Sequence, residues 1–300
     1  MRILITGATG FIGKNLCERL LDERIDFDCI VRPGSDVKLL DEKNIKHIVF
    51  DGDASKLAKD LKKNKYVGIV HLASLFVAKH NEYQIDDLLS SNIGFGTKLL
   101  EACKIANIKW FLNTGTFWQH YRSEEYNPVN LYAATKQAFE NIARFYTESS
   151  DLIFLTLKLN DTFGPNDTRK KIFNLWDEAK DSRTLFPMSP GEQIMDISYI
   201  DDVINAYILL IKDLNSKNAD LYKNKCFSVN SEERVSLKSL FEIYKDVTKS
   251  KLDIAWGALS YREREVMVPW SGAEKVPNWK QSFNLRKAIK ETVNINDLGE

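Results

Sequence analysis

The stretch Arg2-Ile3-Leu4-Ile5-Thr6-Gly7-Ala8-Thr9-Gly10-Phe11-Ile12-Gly13 decides the fold. A short apolar run ends in glycines, and Phe11 to Leu21 then takes up helical spacing. The run reads as a buried parallel strand and the glycines as a tight strand-to-helix turn. Glycines three apart let the chain turn, let a pyrophosphate approach the backbone, and let the helix pack close to the sheet. The free N–H groups and positive dipole end of that helix favour an anion. The spacing is G-x-x-G-x-x-G rather than G-x-G-x-x-G, so its weight comes from lying between a strand and a helix. A plain strand-to-helix turn is the simpler alternative.

Working outward, the alternation continues. Phe27 to Val31, Lys46 to Phe50, Gly68 to His71, Lys109 to Asn113 and Ile153 to Leu157 read as further strands. Helical stretches separate them, the clearest being Leu88 to Ile105 and Leu131 to Tyr146. Strand and helix in alternation predict an α/β fold, a Rossmann-type doubly wound parallel sheet. After Leu157 the rhythm breaks into Gly- and Pro-punctuated segments, with a helix over Tyr199 to Leu214, a late strand over Cys226 to Val229 and two more helical patches in Leu237 to Glu300. The expected organisation is a dinucleotide-binding domain over 1–158, completed by about 196–230. A smaller C-terminal substrate-binding lobe is drawn from 159–195 and 231–300.

Composition narrows the partners. Lys+Arg and Asp+Glu are both 42, so no basic excess exists to follow a nucleic-acid backbone. The four cysteines (Cys17, Cys29, Cys103, Cys226) form no CxxC pair, which argues against a zinc site or disulfide framework and for buried thiols; no metal is expected. No segment reads as a signal peptide or membrane span, and the cytoplasm is the expected location.

The second strand runs into Arg32-Pro33-Gly34-Ser35. Arg32 stands where an acid would accept hydrogen bonds from a ribose 2′-hydroxyl, with Ser35 as a second donor, so NADP(H) is favoured over NAD(H). An ordinary surface arginine is the plainer reading. Tyr132 and Lys136 lie four apart on one helix face, and the ammonium is expected to lower the phenol's pKa so that it passes a proton near neutral pH. Tyr132 is the only one of 11 tyrosines followed by Lys at that distance. The fifth strand ends in Asn113-Thr114-Gly115-Thr116, whose hydroxyls are placed to orient the same substrate oxygen.

At this point the chain resembles the extended short-chain dehydrogenase/reductases, or nucleotide-sugar epimerase/dehydratases, over nearly its whole length. Besides the glycine loop (Gly7, Gly10, Phe11, Ile12, Gly13) and the Tyr132/Lys136 pair, Gly52-Asp53 looks like the family's adenine-contacting acid. Val70-His71-Leu72-Ala73-Ser74 is similar to its cofactor-lining HLA motif, and Asn92 to the asparagine that starts its long fourth helix. Leu157 to Pro165 resembles its LRxxNxYGP stretch, Gly191 to Val203 its GxxxRDxxxVDDV stretch, and Tyr261-Arg262-Glu263 the segment whose arginine grips the nucleotide diphosphate. The resemblance implies Thr114, Tyr132 and Lys136 as the catalytic set. It implies cofactor contacts from the glycine loop, Arg32, Ser35, Asp53, Leu72, Ala73, Asn92, Tyr132 and Lys136, and substrate contacts from Ser74, Thr116, Asp161 and Arg262.

Dehydratases of this family carry Asp-Glu right after the threonine. Gly115 and Thr116 stand there instead, which argues against a 4,6-dehydratase. Within the family the chain is most similar to the CDP-abequose/CDP-paratose synthase type of nucleotide-sugar 4-ketoreductase. That implies NADPH-dependent reduction of a 6-deoxy or 3,6-dideoxy 4-ketohexose carried on CDP, or on dTDP, in bacterial surface-polysaccharide (O-antigen) sugar biosynthesis. A 4-epimerase with bound NAD is the alternative, a non-catalytic NADP(H)-binding regulator the rival of another class, and reduction of a small carbonyl compound a third. Three departures stand out: Met195 and Lys158 replace family arginines, and Asp161 replaces an asparagine, setting a negative charge near an anionic ligand. Arg262 and Arg264 are then the expected phosphate partners. His71 reads as a satisfied core histidine. The helix after Ser91 and the Tyr132 helix resemble the family's dimer-forming pair, so a homodimer is expected.

Overall fold

A computed structural model of the chain describes residues 2–293 apart from Asp181 and Arg183. The first half supplies six strands: β1 (Arg2–Thr6), β2 (Asp26–Val31), β3 (His47–Val49), β4 (Tyr66–His71), β5 (Trp110–Thr116) and β6 (Ile153–Leu159). β7 (Cys226–Val229) and β8 (Glu274–Lys275) join them from the second half. All pair in parallel, in the order β8-β7-β6-β5-β4-β1-β2-β3. The order reverses between β1 and β4, and in an open sheet of this kind the crevice beyond the carboxyl ends of those strands is where a ligand lies.

Each face of the sheet is apolar because both are covered. Ile3, Ile5, Leu112, Leu155 and Leu157 face one core with the helices Phe11–Asp22 and Ile200–Leu214. Leu4, Ile69, Phe111 and Phe154 face the other with Ala54–Lys63, Phe95–Ala106 and Leu131–Glu148. The strands therefore read as continuous apolar runs rather than alternating ones. Helix Ile200–Leu214 is buried along most of its length, including Val203, Ile204, Ala206, Tyr207, Ile208, Leu210 and Ile211.

Three features differ from the sequence expectation. β5 continues past Asn113 to Thr116, which carries Thr114 and Thr116 to the carboxyl end of the sheet. The long fourth helix is interrupted: Ile85–Leu89 passes through a π-helical turn at Ser90–Gly94 into Phe95–Ala106, so Asn92 sits in that turn and not at a helix start. Glu274–Lys275 lies within the segment assigned to the smaller lobe, yet pairs beside β7 as the sheet's edge.

The remaining C-terminal residues build the lobe from short ladders, Phe186–Met188 with Ile254–Trp256 and Ile194–Met195 with Val235–Ser236. Asp202, in the first turn of Ile200–Leu214, ties the tail down: its carboxylate accepts from the Ser282 amide (2.8 Å) and the Phe283 amide (3.2 Å), and its carbonyl accepts from Trp279 Nε1 (2.8 Å). No helix among the described residues is long and apolar enough to cross a membrane.

Candidate active site

The glycine turn is shaped by what surrounds it. Gly7 has φ +72°, and a Cβ there would stand 2.6 Å from the Ala73 amide at the end of β4; one at Gly13 would stand 2.1 Å from the Gly7 carbonyl. Both positions therefore exclude any side chain. Gly10 is different. It is exposed, and its Cβ would meet only the Gly7 carbonyl at 3.4 Å. Gly10 is also the N-cap of the first helix, without a side-chain cap, which leaves first-turn amides at Phe11, Ile12 and Gly13 open to an anion. The packing of the protein itself does not require the absence of a side chain at Gly10.

Beside the turn, a cavity of about 150 Å³ is lined by Ala8, Thr9, Lys14, Asp36, Leu39 and Leu40. It puts Lys14 next to the segment that follows β2, where Arg32 is exposed. Ser35 is turned inward on that segment, its hydroxyl accepting from the Arg32 amide at 3.2 Å. A larger cavity, about 390 Å³, opens at the amino ends of β4, β5 and β6 among Val67, Lys109, Ile153 and Leu214, away from these groups.

At the carboxyl ends of β4 and β5 the polar groups converge. Asn130 caps the helix Leu131–Glu148 and donates to the carbonyls of Val77 and Ala78, so the helix start is fixed to the loop after β4. Tyr132 lies in that first turn, its ring edge-on to Phe76 at 5.0 Å, and Phe76 also meets Trp118 at 5.5 Å. Burial pushes the Tyr132 phenol up to about 12, while the neighbouring Ser74 hydroxyl works in the other direction. The expected lowering by Lys136 is not what the structure gives, because burial dominates both groups and brings the Lys136 amine down to about 8. Thr114 Oγ1 lies 2.6 Å from the hydroxyl of Tyr207.

On the C-terminal side, Lys171 Nζ pairs with Asp161 at 2.8 Å and lies 5.1 Å from the Phe76 ring. Arg262 is exposed, its guanidinium 6.0 Å from the Trp118 ring. Arg169 covers the Phe11 ring at 4.4 Å, joining the lobe to the glycine turn. Lys171 and Arg262 thus stand against the two rings, Phe76 and Trp118, that pack beside Tyr132.

Residues 3–223 match the NAD dependent epimerase/dehydratase family. The chain belongs to this family. It is an enzyme of the extended short-chain dehydrogenase/reductase type. Among curated relatives, the CDP-abequose synthase of Salmonella typhimurium is 28% identical over 96% of each chain. That of Salmonella muenchen is 26% identical over 99% of this chain and 98% of its own. Among solved structures, a mutant UDP-glucuronic acid 4-epimerase of Bacillus cereus superposes with a TM-score of 0.84 at 20% identity, covering 99% of this chain and 100% of the other. The UDP-glucose 4-epimerase of Thermotoga maritima superposes at 0.82 with 19% identity and 99% coverage of each. At that identity the two structures speak for the fold.

The family implies a nicotinamide dinucleotide, and the open backbone at Gly10 with its uncapped helix start fits one. Other expected contacts are spent within the chain. Asn92 is buried with all four of its hydrogen-bonding positions used: it accepts from Ser74 Oγ and the Leu75 amide and donates to the Leu75 carbonyl and Thr135 Oγ1. It therefore positions the loop after β4 and the Tyr132 helix rather than meeting a cofactor directly. Asp53 caps the helix Ala54–Lys63, one carboxylate oxygen accepting from the Ser55 and Lys56 amides. Thr116 is buried and caps the short turn Phe117–Gln119. A side chain at Gly115 would stand 2.8 Å from Thr156 and 2.9 Å from Lys158, so a carboxylate has no room there.

The departures from the family pattern also find partners. Asp161 adds no net charge to the mouth, because Lys171 neutralises it. Lys158 points into a buried network, Nζ 2.6 Å from His120 Nε2 and 3.7 Å from Glu140, with His120 stacked on Trp270 at 3.8 Å. Burial and the Lys158 charge bring His120 down to about 4, which keeps it a neutral acceptor. Arg264 is occupied as well, bonded to Asn127 and lying over Tyr121 at 4.3 Å. His71 is a satisfied core histidine, its Nδ1 2.8 Å from Thr6 Oγ1. Sequence reasoning missed Lys171, Phe76 and Tyr207. An aspartate at an asparagine position was the one signal that a cation must stand close by.

Proposed function

We propose that the chain uses NADPH to reduce the 4-keto group of a nucleotide-linked 6-deoxy or 3,6-dideoxyhexose, with CDP as the favoured carrier and dTDP next, in the making of sugars for bacterial surface polysaccharides. The observation that carries this reading is the protonated Tyr132 phenol at the mouth of the cleft, since reduction of a ketone needs a proton donor at its oxygen. The likeness to two CDP-abequose synthases along almost the whole chain supports it, as do Arg32 and Lys14 beside the glycine turn.

When bound, the reduced dinucleotide supplies the hydride that adds to C4. The carbonyl π electrons then move to oxygen, which takes the proton from Tyr132 Oη. Lys136 favours the phenolate left behind, and solvent returns the proton. Thr114 holds the same C4 oxygen by its hydroxyl. Arg262 is the exposed cation that would meet the nucleotide diphosphate, so binding far from C4 fixes the reacting carbon.

The test is incubation with NADPH and a panel of CDP-, dTDP-, GDP- and UDP-4-ketosugars while nicotinamide absorbance is followed. Absorbance is expected to fall with a CDP-4-ketosugar. Tyr132→Phe is expected to lose turnover by about a hundredfold or more while still binding NADPH; near-normal turnover in that variant refutes the role. A 4-epimerase with bound NAD is the second reading, favoured by the same Thr114–Tyr132–Lys136 set, which serves oxidation of a 4-hydroxyl equally well. It would invert a nucleotide hexose with no net absorbance change.

A further inference from the structure

Tyr207 is wholly buried on the helix Ile200–Leu214, among Val203, Ile204, Ala206, Ile208, Leu210 and Ile211. Its hydroxyl is the one polar group of that stretch to reach the carboxyl end of β5, where Thr114 Oγ1 lies 2.6 Å away. The catalytic assignment of Thr114, Tyr132 and Lys136 makes no use of this second phenol. We propose that Tyr207 is a positioning residue, its phenol donating to Thr114 Oγ1 and so committing the Thr114 proton to the oxygen of the substrate's ring carbon.

The direction of the bond follows from what each hydroxyl has left. Thr114 is half-buried, so its proton has an outlet away from Tyr207, and Tyr132 stands close enough to act on the Tyr207 phenol. Tyr207 has none: apolar side chains surround it, and Thr114 is its hydrogen-bond partner. Were Thr114 the donor, the phenolic proton would be buried without an acceptor, a costly arrangement. Were Tyr207 the donor, both protons are used. Burial also drives the Tyr207 phenol well above its ordinary value, and an ionised Tyr132 would drive it further, so it remains a donor throughout the reaction. A threonine hydroxyl is otherwise free to rotate among acceptors. The phenol behind it removes that freedom, and a fixed donor aimed at developing negative charge needs no reorganisation when the charge appears.

The inference rests on the hydride-transfer reading of this site but not on its direction, since ketone reduction and 4-epimerisation both set the oxygen on C4 against Thr114. Tyr207→Phe keeps the ring and removes only the hydroxyl, so folding is expected to survive and is checked by thermal unfolding. On whichever nucleotide sugar the wild type turns over, Tyr207→Phe is expected to lower kcat about tenfold with KM and NADPH affinity within about twofold of wild type. Thr114→Val is expected to lose more, and the double variant no more than Thr114→Val alone, because Tyr207 acts only through Thr114. Additive losses, or a Tyr207→Phe variant with wild-type kcat, overturn the proposal. If no sugar in the panel is reduced or epimerised, the functional reading fails separately. A crystal structure of Tyr207→Phe then decides this inference, with Thr114 leaving its single rotamer if it is right and keeping it if it is wrong.

Discussion

Lys136 is 2% exposed, and burial lowers its amine to about 8 despite the attraction of Glu140. A lysine with a depressed folded value binds fewer protons in the folded than in the unfolded chain between pH 8 and its ordinary 10.5. Stability from this group therefore rises with pH through that window, and at pH 7 the buried charge weakens the fold by up to ~3 kcal/mol. Lys136→Met is expected to raise the stability of the dinucleotide-free chain at pH 7 by up to that amount, measured by urea unfolding, with the gain shrinking above pH 8. The same variant is expected to lose turnover. In the wild type, turnover is expected to fall above about pH 8, as the Lys136 ammonium is discharged. The Tyr132/Lys136 pairing itself was legible in the four-residue spacing. Which of the two burial would shift, and how far, was not, because desolvation depends on what the rest of the chain packs around them.

At the scale of the element, the glycine turn separates what the protein needs from what a ligand needs. Gly13→Ala sets a methyl against backbone and is expected to disturb the fold itself. Gly10→Ala is expected to leave the unfolding temperature nearly unchanged, since its φ of −82° and ψ of 171° suit alanine, while weakening NADPH binding at least about tenfold by calorimetry. The strands β1, β2, β4, β5 and β6 were readable because strands covered on both faces are apolar along their length. β8 was not, because Glu274 and Lys275 are exposed and the strand is defined by backbone pairing with Phe227 and Ser228, with Lys225 bonded to the Glu274 carboxylate. The π-helical turn at Ser90–Gly94 was equally hidden, since it alters neither the composition nor the period of its helix by more than one residue. Tyr207 escaped notice for a related reason: among apolar neighbours a tyrosine counts as core until its hydroxyl is seen to reach Thr114.

For the molecule as a whole, we propose a homodimer through the helices Phe95–Ala106 and Leu131–Glu148 and the segment before them. Leu89 (41%), Ile105 (41%) and Phe145 (61%) are exposed there. Light scattering is expected to give twice the chain mass of 34.5 kDa, and Phe145→Glu to give the single-chain mass with the fold retained. The attachment of the tail reaches further. The edge partner of β7 and the amides that hold Asp202 all come from residues 274–283, so β7 and the start of the helix carrying Tyr207 cannot be completed by anything earlier in the chain. On a translating ribosome, the sheet would therefore wait half-hemmed, with its last seam sewn only once residues 274–283 have cleared the exit tunnel.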